Sequence, residues 1–357
     1  MALPVTAAFD AGQAGTMGVG FSGAGFLIPF FLGVIDVLQR QGVLQPSMPM
    51  AGASSGALAI MTASDQISLQ MMREEASRLS AYCLKHGNCY GTLQAEVRRA
   101  AQRLLPRDAA DRANKHGRLH VAVTYPSPSG GPVQQALVGN FTGRDDLREA
   151  LEASIYIPYY AGAALSTSFR GKAAYDGSFA GSGPGFLPCP PGVSYCLRVS
   201  SLPACEMFGS MFGRLAFGRP SDRARGASIA RNVLGGADLR ARLAEMRRSF
   251  RASDRGAVRS EAAQAARFFE DLASLRAPDE GGADIFPGRR HPLPVSHAVW
   301  SSFMMQPGTP EQIEMMYRLG QAEARSWAEE AGFIRAGLAG QQQAPRQLRA
   351  PAPGPQP

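Results

Sequence analysis

Two strand–turn–helix units stand back to back in the first sixty residues, and they constrain the fold more than any other feature of the chain. Met17–Phe21 reads as a short buried strand. It runs into the Gly-rich turn Ser22-Gly23-Ala24-Gly25, after which Phe26, Phe30, Phe31, Val34 and Leu38 recur at helical spacing as far as Gly42. Residues 48–51 read as a second strand, entering Gly52-Ala53-Ser54-Ser55-Gly56 and then a helix from Ala57. Successive units of this kind build a parallel sheet with helices on both faces. The expected class is therefore α/β: a mostly parallel sheet sandwiched by helices.

The remainder extends the pattern. Helices are expected over 66–84, 93–105 and 145–154, and strands over 120–124, 135–138 and 193–199. Thr309-Pro310-Glu311-Gln312 has the form of a capping box with Pro at the first helical position, opening a last helix that carries Ile313, Met316, Tyr317, Ala324 and Trp327. Residues 203–290 read as helix and loop without a legible layout, and residues beyond 340 as a Pro/Gln-rich disordered tail.

Charge is concentrated. Between Met207 and Arg259 stand twelve Arg against four acids, an excess equal to the whole formal net charge of +8. Such a run is either a solvated Arg-rich loop or a surface for anionic lipid. Met207, Phe208, Met211, Phe212 and Leu215, just ahead of it, share one helical face that suits a lipid interface or ordinary packing. Five cysteines, an odd number without a C-x-x-C pair, suggest neither a disulfide framework nor a zinc site, and a reducing compartment is expected by default. Five histidines make a His-rich metal site unexpected. The N-terminus lacks a basic and apolar leader, and the longest apolar run, 26–38, is broken by Pro29, Gly33 and Asp36. The expectation is a chain that is not secreted, and is cytoplasmic or peripheral on a membrane or lipid droplet.

Three segments carry chemistry. Gly52-Ala53-Ser54-Ser55-Gly56 is a G-x-S-x-G between a strand and a helix, the setting of a nucleophile elbow. Its tight turn needs Gly52 and Gly56 and presents Ser54 at the strand end. In this register Ser55 is a spacer. Gly23, Ala24 and Gly25 offer successive backbone N–H groups to an anion. A dinucleotide loop is one reading, but Ile28 takes the third Gly position and no acid ends a second strand at the expected distance. An oxyanion hole for Ser54 is the other, favoured because consecutive parallel strands end side by side. The third segment, Asp176-Gly177-Ser178, reads alone as a turn.

Together these segments resemble the patatin-like phospholipase family, in particular its adipose-triglyceride-lipase and adiponutrin-type branch. The likeness rests on Gly23-Ala24-Gly25-Phe26-Leu27, Gly52-Ala53-Ser54-Ser55-Gly56-Ala57-Leu58, residues 117–124, residues 153–160 and Asp176-Gly177. It runs through about 17–200 and, more weakly, 305–335, where Tyr317 opens a Tyr-x-x-Gly-x-x-x-Ala rhythm. Ser178, Ser182 and Ile28 depart from the family pattern. The resemblance implies Ser54 as nucleophile and Asp176 as its base, with Gly177 in the Asp-Gly motif. Gly23, Ala24 and Gly25 then form the oxyanion hole, with Gly52 and Gly56 framing the elbow.

It further implies a serine acyl-hydrolase acting on acyl-lipid esters in lipid catabolism, peripheral on a membrane or lipid droplet. No metal, organic cofactor or nucleic-acid partner is expected, and oligomeric state is not legible. The expected organisation is an N-terminal extension (1–16), a catalytic domain (17–202), an Arg-rich helix/loop segment (203–304), a C-terminal helix packing on the catalytic domain (305–335) and the tail (336–357). Two other readings stay open: an α/β-hydrolase whose triad runs Ser54, Asp176, His297, and a lipid-binding member with a decayed site.

Overall fold

The computed structural model describes residues 6–115, 118–126, 133–158, 160–179, 187–203 and 283–334. The Arg-rich run, the apolar face from Met207 to Leu215, Ser182, Cys205 and the Pro/Gln-rich tail lie outside these residues. The fold is α/β. Five strands, β1 (Met17–Phe21), β2 (Met50–Ala53), β3 (Leu119–Tyr125), β4 (Gln134–Val138) and β7 (Tyr195–Val199), form one sheet in the order β4-β3-β2-β1-β7. Four of them are parallel, and β4 closes one edge antiparallel to β3. Every side chain of β1 and β2 is buried, as expected of central strands covered on both faces. β5 (Thr167–Phe169) and β6 (Lys172–Ala174) make a separate hairpin, with both turn residues, Arg170 and Gly171, at positive φ.

α2 (Ile28–Arg40) and α3 (Ser55–Ala63) follow β1 and β2 directly. α2 starts two residues later than its hydrophobic spacing suggests: Gly25–Leu27 is a 3-10 turn and Pro29 occupies the first helical turn. β2 runs to Ala53, two residues past its expected end. Gly52 and Ala53, which look like turn residues, still pair with β1 and β3. Around these stand α4 (Leu69–Lys85), α5 (Leu93–Leu104), α6 (Ala109–Asn114) and α7 (Arg144–Ser154).

The C-terminal helix, here α9 (Pro310–Glu330), opens on the expected capping box. It lies backbone-to-backbone on α2: a Cβ at Gly33 would stand 2.0 Å from the Tyr317 carbonyl oxygen, and one at Gly320 2.0 Å from that of Phe30. Ahead of it, α8 (His297–Ser302) buries Trp300 completely, edge-on to Phe30. The first sixteen residues hold a helix, α1 (Ala7–Gln13), capped by Thr6 and tied to the end of α9 through Thr6 Oγ1 and the Phe9–Phe333 ring pair.

The cysteine expectation is corrected. Cys83 pairs with Cys89, and Cys189 with Cys196, at Cα separations of 4.8 and 6.0 Å. The odd count had argued against pairing, but both bridges span only six or seven residues and leave Cys205 over. Their presence removes the basis for assuming a reducing compartment. Among the described residues no helix is long and apolar enough to cross a membrane.

Candidate active site

The site forms where β1 and β2 end and α2 and α3 begin. Ser54 caps α3 with φ 54° and ψ −127°, a sparsely populated conformation that costs about 1–3 kcal/mol. The two motif glycines make this turn possible. A Cβ at Gly52 would lie 2.3 Å from the Gly56 carbonyl oxygen, and a Cβ at Gly56 the same distance from that of Ser22. Neither clash is with a flexible group. The N–H groups of Ser55 and Gly56 begin α3 without a backbone partner among the described residues, so the positive end of the helix meets Ser54.

Asp176 follows β6 and is fully buried. Its backbone N–H donates to the Tyr156 carbonyl at 2.8 Å, and that of Gly177 to the Ser154 carbonyl at 3.0 Å. The Ser154 hydroxyl accepts the Ser54 N–H at 2.8 Å. The last turn of α7 thus holds both residues, which lie more than a hundred positions apart in the chain. A Cβ at Gly177 would stand 2.2 Å from the Ala122 carbonyl oxygen, which fixes the turn against β3.

Burial raises the Asp176 pKa from 3.8 to about 6, against the opposing pull of the Ser54 hydroxyl and of the Ser178 N–H and hydroxyl. The Ser178 N–H donates to Oδ1 at 2.8 Å. Oδ2 is buried and makes no hydrogen bond of good geometry among the described residues, nor does the Ser178 hydroxyl. The Ser54 hydroxyl is close enough to influence the carboxylate without being well aligned to it.

Gly23 sits against both residues' surroundings: a Cβ built on it would be 3.5 Å from the Ser54 Cβ and 2.2 Å from the Ser178 Oγ. The N–H groups of Gly23, Ala24 and Gly25 have no backbone partner among the described residues. The Ser55 hydroxyl, a spacer in the motif, donates to the Gly25 carbonyl at 2.9 Å and so braces the loop. The structure therefore brings Ser54, Asp176, Gly177, Gly52, Gly56 and the 23–25 loop together. Ser154 and Ser55 were not singled out as site residues. Ser154 lies in the 153–160 run noted above, but its hydroxyl's task depends on a contact with no signature in local sequence.

A narrow apolar cleft, with about 90 Å³ of space for the centres of water-sized spheres, is lined in part by Ser54. Ser54, Leu58 and Met61 line it at helical spacing along α3, about 10 Å of helix at 1.5 Å per residue. Met72, Val97 and Leu104, from α4 and α5, face them. Its charged lining residue among those described is Glu75, whose carboxylate is raised in pKa by burial but lowered overall by Arg78 and Arg103. No described histidine lines the cleft. His291 is held by Ser326 and Glu323, and His297 is exposed at the start of α8.

No protein-family model matches the chain. Curated human proteins do. Patatin-like phospholipase domain-containing protein 4 is 30% identical over 167 residues, 44% of this chain and 62% of its own length. Patatin-like phospholipase domain-containing protein 5 is 29% identical over 191 residues, 51% of this chain and 42% of its own. Omega-hydroxyceramide transacylase is 28% identical over 172 residues, 46% and 31%. The chain thus spans between about a third and three fifths of these relatives. Among solved structures, VipD from Legionella pneumophila aligns over 88% of this chain and 67% of its own, with a TM-score of 0.36 and 12% identity.

Proposed function

We propose that this chain is a member of the patatin-like phospholipase family, as its relatives at about 30% identity support, and that it is a serine acyl-hydrolase that cleaves carboxylic esters of acyl lipids through a Ser54–Asp176 dyad. The observation that carries the proposal is a strained serine lining an apolar cleft, beside a fully buried carboxylate.

The Asp176 carboxylate takes the Ser54 proton as Oγ attacks the ester carbonyl. The carbonyl oxygen becomes an oxyanion and is held by the N–H groups of Gly23, Ala24 and Gly25, with the α3 N-terminus behind them. Collapse breaks the ester C–O bond, and the departing alcohol leaves with the proton that Asp176 took. Water repeats the sequence on the acyl-enzyme, giving a fatty acid and free Ser54. The acyl chain lies along the Leu58–Met61 wall. The surface it works from is a membrane or a lipid droplet, and oligomeric state is left open.

One relative's name supports a second outcome, in which an alcohol instead of water receives the acyl group. A single assay tests both: acyl lipids of several classes are incubated with the wild type and Ser54→Ala, with and without an added long-chain alcohol. Fatty acid release that depends on Ser54 supports hydrolysis, whereas a new ester formed at its expense supports transfer. No Ser54-dependent product from any class overturns the proposal and revives the decayed-site reading.

A base with its pKa raised to about 6 has a legible pH signature. The ionised form is the active one, so kcat/KM on a soluble short-chain ester is expected to rise about tenfold per pH unit below pH 6 and level off above it. An acid limb centred near 4, as for an unperturbed carboxylate, contradicts this environment for Asp176.

A triad enzyme needs its imidazole. His291 and His297 lie away from the cleft lining, so the His291→Ala/His297→Ala variant is expected to retain most of its kcat on the same ester. A thousand-fold fall reinstates the Ser–His–Asp reading.

A further inference from the structure

Next to the 23–25 loop, at the ends of β1 and β7, lies a completely buried polar group that the mechanism above does not use. Ser22, Ser201 and Trp300 are each 0% exposed. The hydroxyls of Ser22 and Ser201 both donate to the Gly23 carbonyl, at 2.9 and 2.8 Å. The Ser201 N–H donates to Ser22 Oγ at 3.2 Å, the Ser22 N–H to the Val199 carbonyl at 3.0 Å, and Trp300 Nε1 to the Ser201 carbonyl at 2.9 Å.

We propose that Ser201, with Ser22, is a positioning residue that fixes the Gly23–Ala24 peptide so that the Ala24 N–H is the principal oxyanion donor; the proposal rests on the acyl-hydrolase reading. In a trans peptide the C=O and N–H point in opposite directions, and the described chain has no cis bond. Ser201 follows β7, which flanks β1 on one side, while Ser54 follows β2, which flanks it on the other. The Ser201 hydroxyl draws the Gly23 oxygen toward β7 and the Ser22 hydroxyl, at the end of β1, helps hold it, which turns the Ala24 N–H toward the end of β2. That N–H has no protein partner among the described residues. A carbonyl that accepts two buried hydroxyls also resists rotation, because turning it strands both donors. Such preorganisation lets an oxyanion donor stabilise the transition state without paying for reorientation.

The test measures kcat and KM on a soluble p-nitrophenyl ester for wild type, Ser201→Ala, Ser22→Ala and Ser201→Thr. Inhibition by an alkyl boronic acid, whose anionic tetrahedral adduct on Ser54 places an oxygen where the oxyanion forms, is measured beside them, with thermal melting as a check on folding. Ser201→Ala is expected to lower kcat about 10–100-fold, less than loss of a whole donor, with KM within about twofold. Boronate affinity is expected to weaken in proportion to kcat. Ser22→Ala, which removes one of the two hydroxyls, should show a smaller fall of the same kind and serves if Ser201→Ala melts early. Ser201→Thr keeps the hydroxyl and should recover most of the loss. Unchanged kcat and boronate affinity in both Ala variants overturns the brace alone, with Ser54-dependent hydrolysis intact. A loss that appears only in melting temperature or KM does the same. A wild type without Ser54-dependent activity overturns both readings.

Discussion

Ser54→Ala is expected to lower ester hydrolysis by about four orders of magnitude or more, the scale on which loss of a covalent nucleophile acts, while the protein stays folded. The second half of that expectation is as specific as the first. The elbow is held by backbone approaches at Gly52 and Gly56 and by the Ser154 hydroxyl on the residue 54 N–H, none of which uses the Ser54 side chain. Alanine has no better access than serine to φ 54°, so the strain persists and no new clash arises. Circular dichroism and melting should match the wild type. Ser55→Ala removes a hydroxyl that braces Gly25 from behind, so its effect should be much smaller. A Ser54→Ala protein with more than a few per cent of wild-type turnover contradicts the nucleophile assignment.

Asp176→Asn is expected to lose activity by about three to four orders of magnitude and, at neutral pH, to gain stability. Burial raises the Asp176 pKa from 3.8 to about 6. The native state therefore keeps a proton that the unfolded chain releases within that window. Stability contributed by this group is full below about pH 3.8 and falls as pH rises through 6. Above that point the deficit is constant, at about 3 kcal/mol for a shift near two units. Asparagine is neutral at every pH and still accepts the Ser178 N–H, so the deficit disappears. Melting temperature at pH 7 should rise by a few degrees, and the difference from wild type should shrink as the pH approaches 4. Lower stability of Asp176→Asn at pH 7 contradicts this account of the carboxylate.

Much of the fold's central half was legible because it rests on local periodicity. Met17–Phe21 and Gly52 to Gly56 announce strand and elbow by burial pattern and turn chemistry alone, and Thr309 to Gln312 announces a helix start. Short elements escaped. α1 buries only Ala8 and Ala11, and β5 and β6 have three residues each, too few for a period to show. The disulfides escaped because their pairing depends on where α4 ends and how β7 is entered, not on cysteine count.

The site divides similarly. Ser54 stood out in its strand–helix setting, whereas Asp176-Gly177 looks like any turn and was found only through the family resemblance. Ser154, Ser55, Ser22 and Ser201 are ordinary serines in sequence. Their roles come from contacts as much as 179 residues apart along the chain.

The most direct test of the central claim is covalent labelling of the full chain with a fluorophosphonate, followed by mass-spectrometric mapping of the modified peptide. The probe forms a stable adduct only where a serine hydroxyl is activated beside an oxyanion site. The predicted result is one adduct, on Ser54, absent from Ser54→Ala and formed far more slowly in Asp176→Asn. Labelling of another serine, or equal labelling of wild type and Ser54→Ala, contradicts the account.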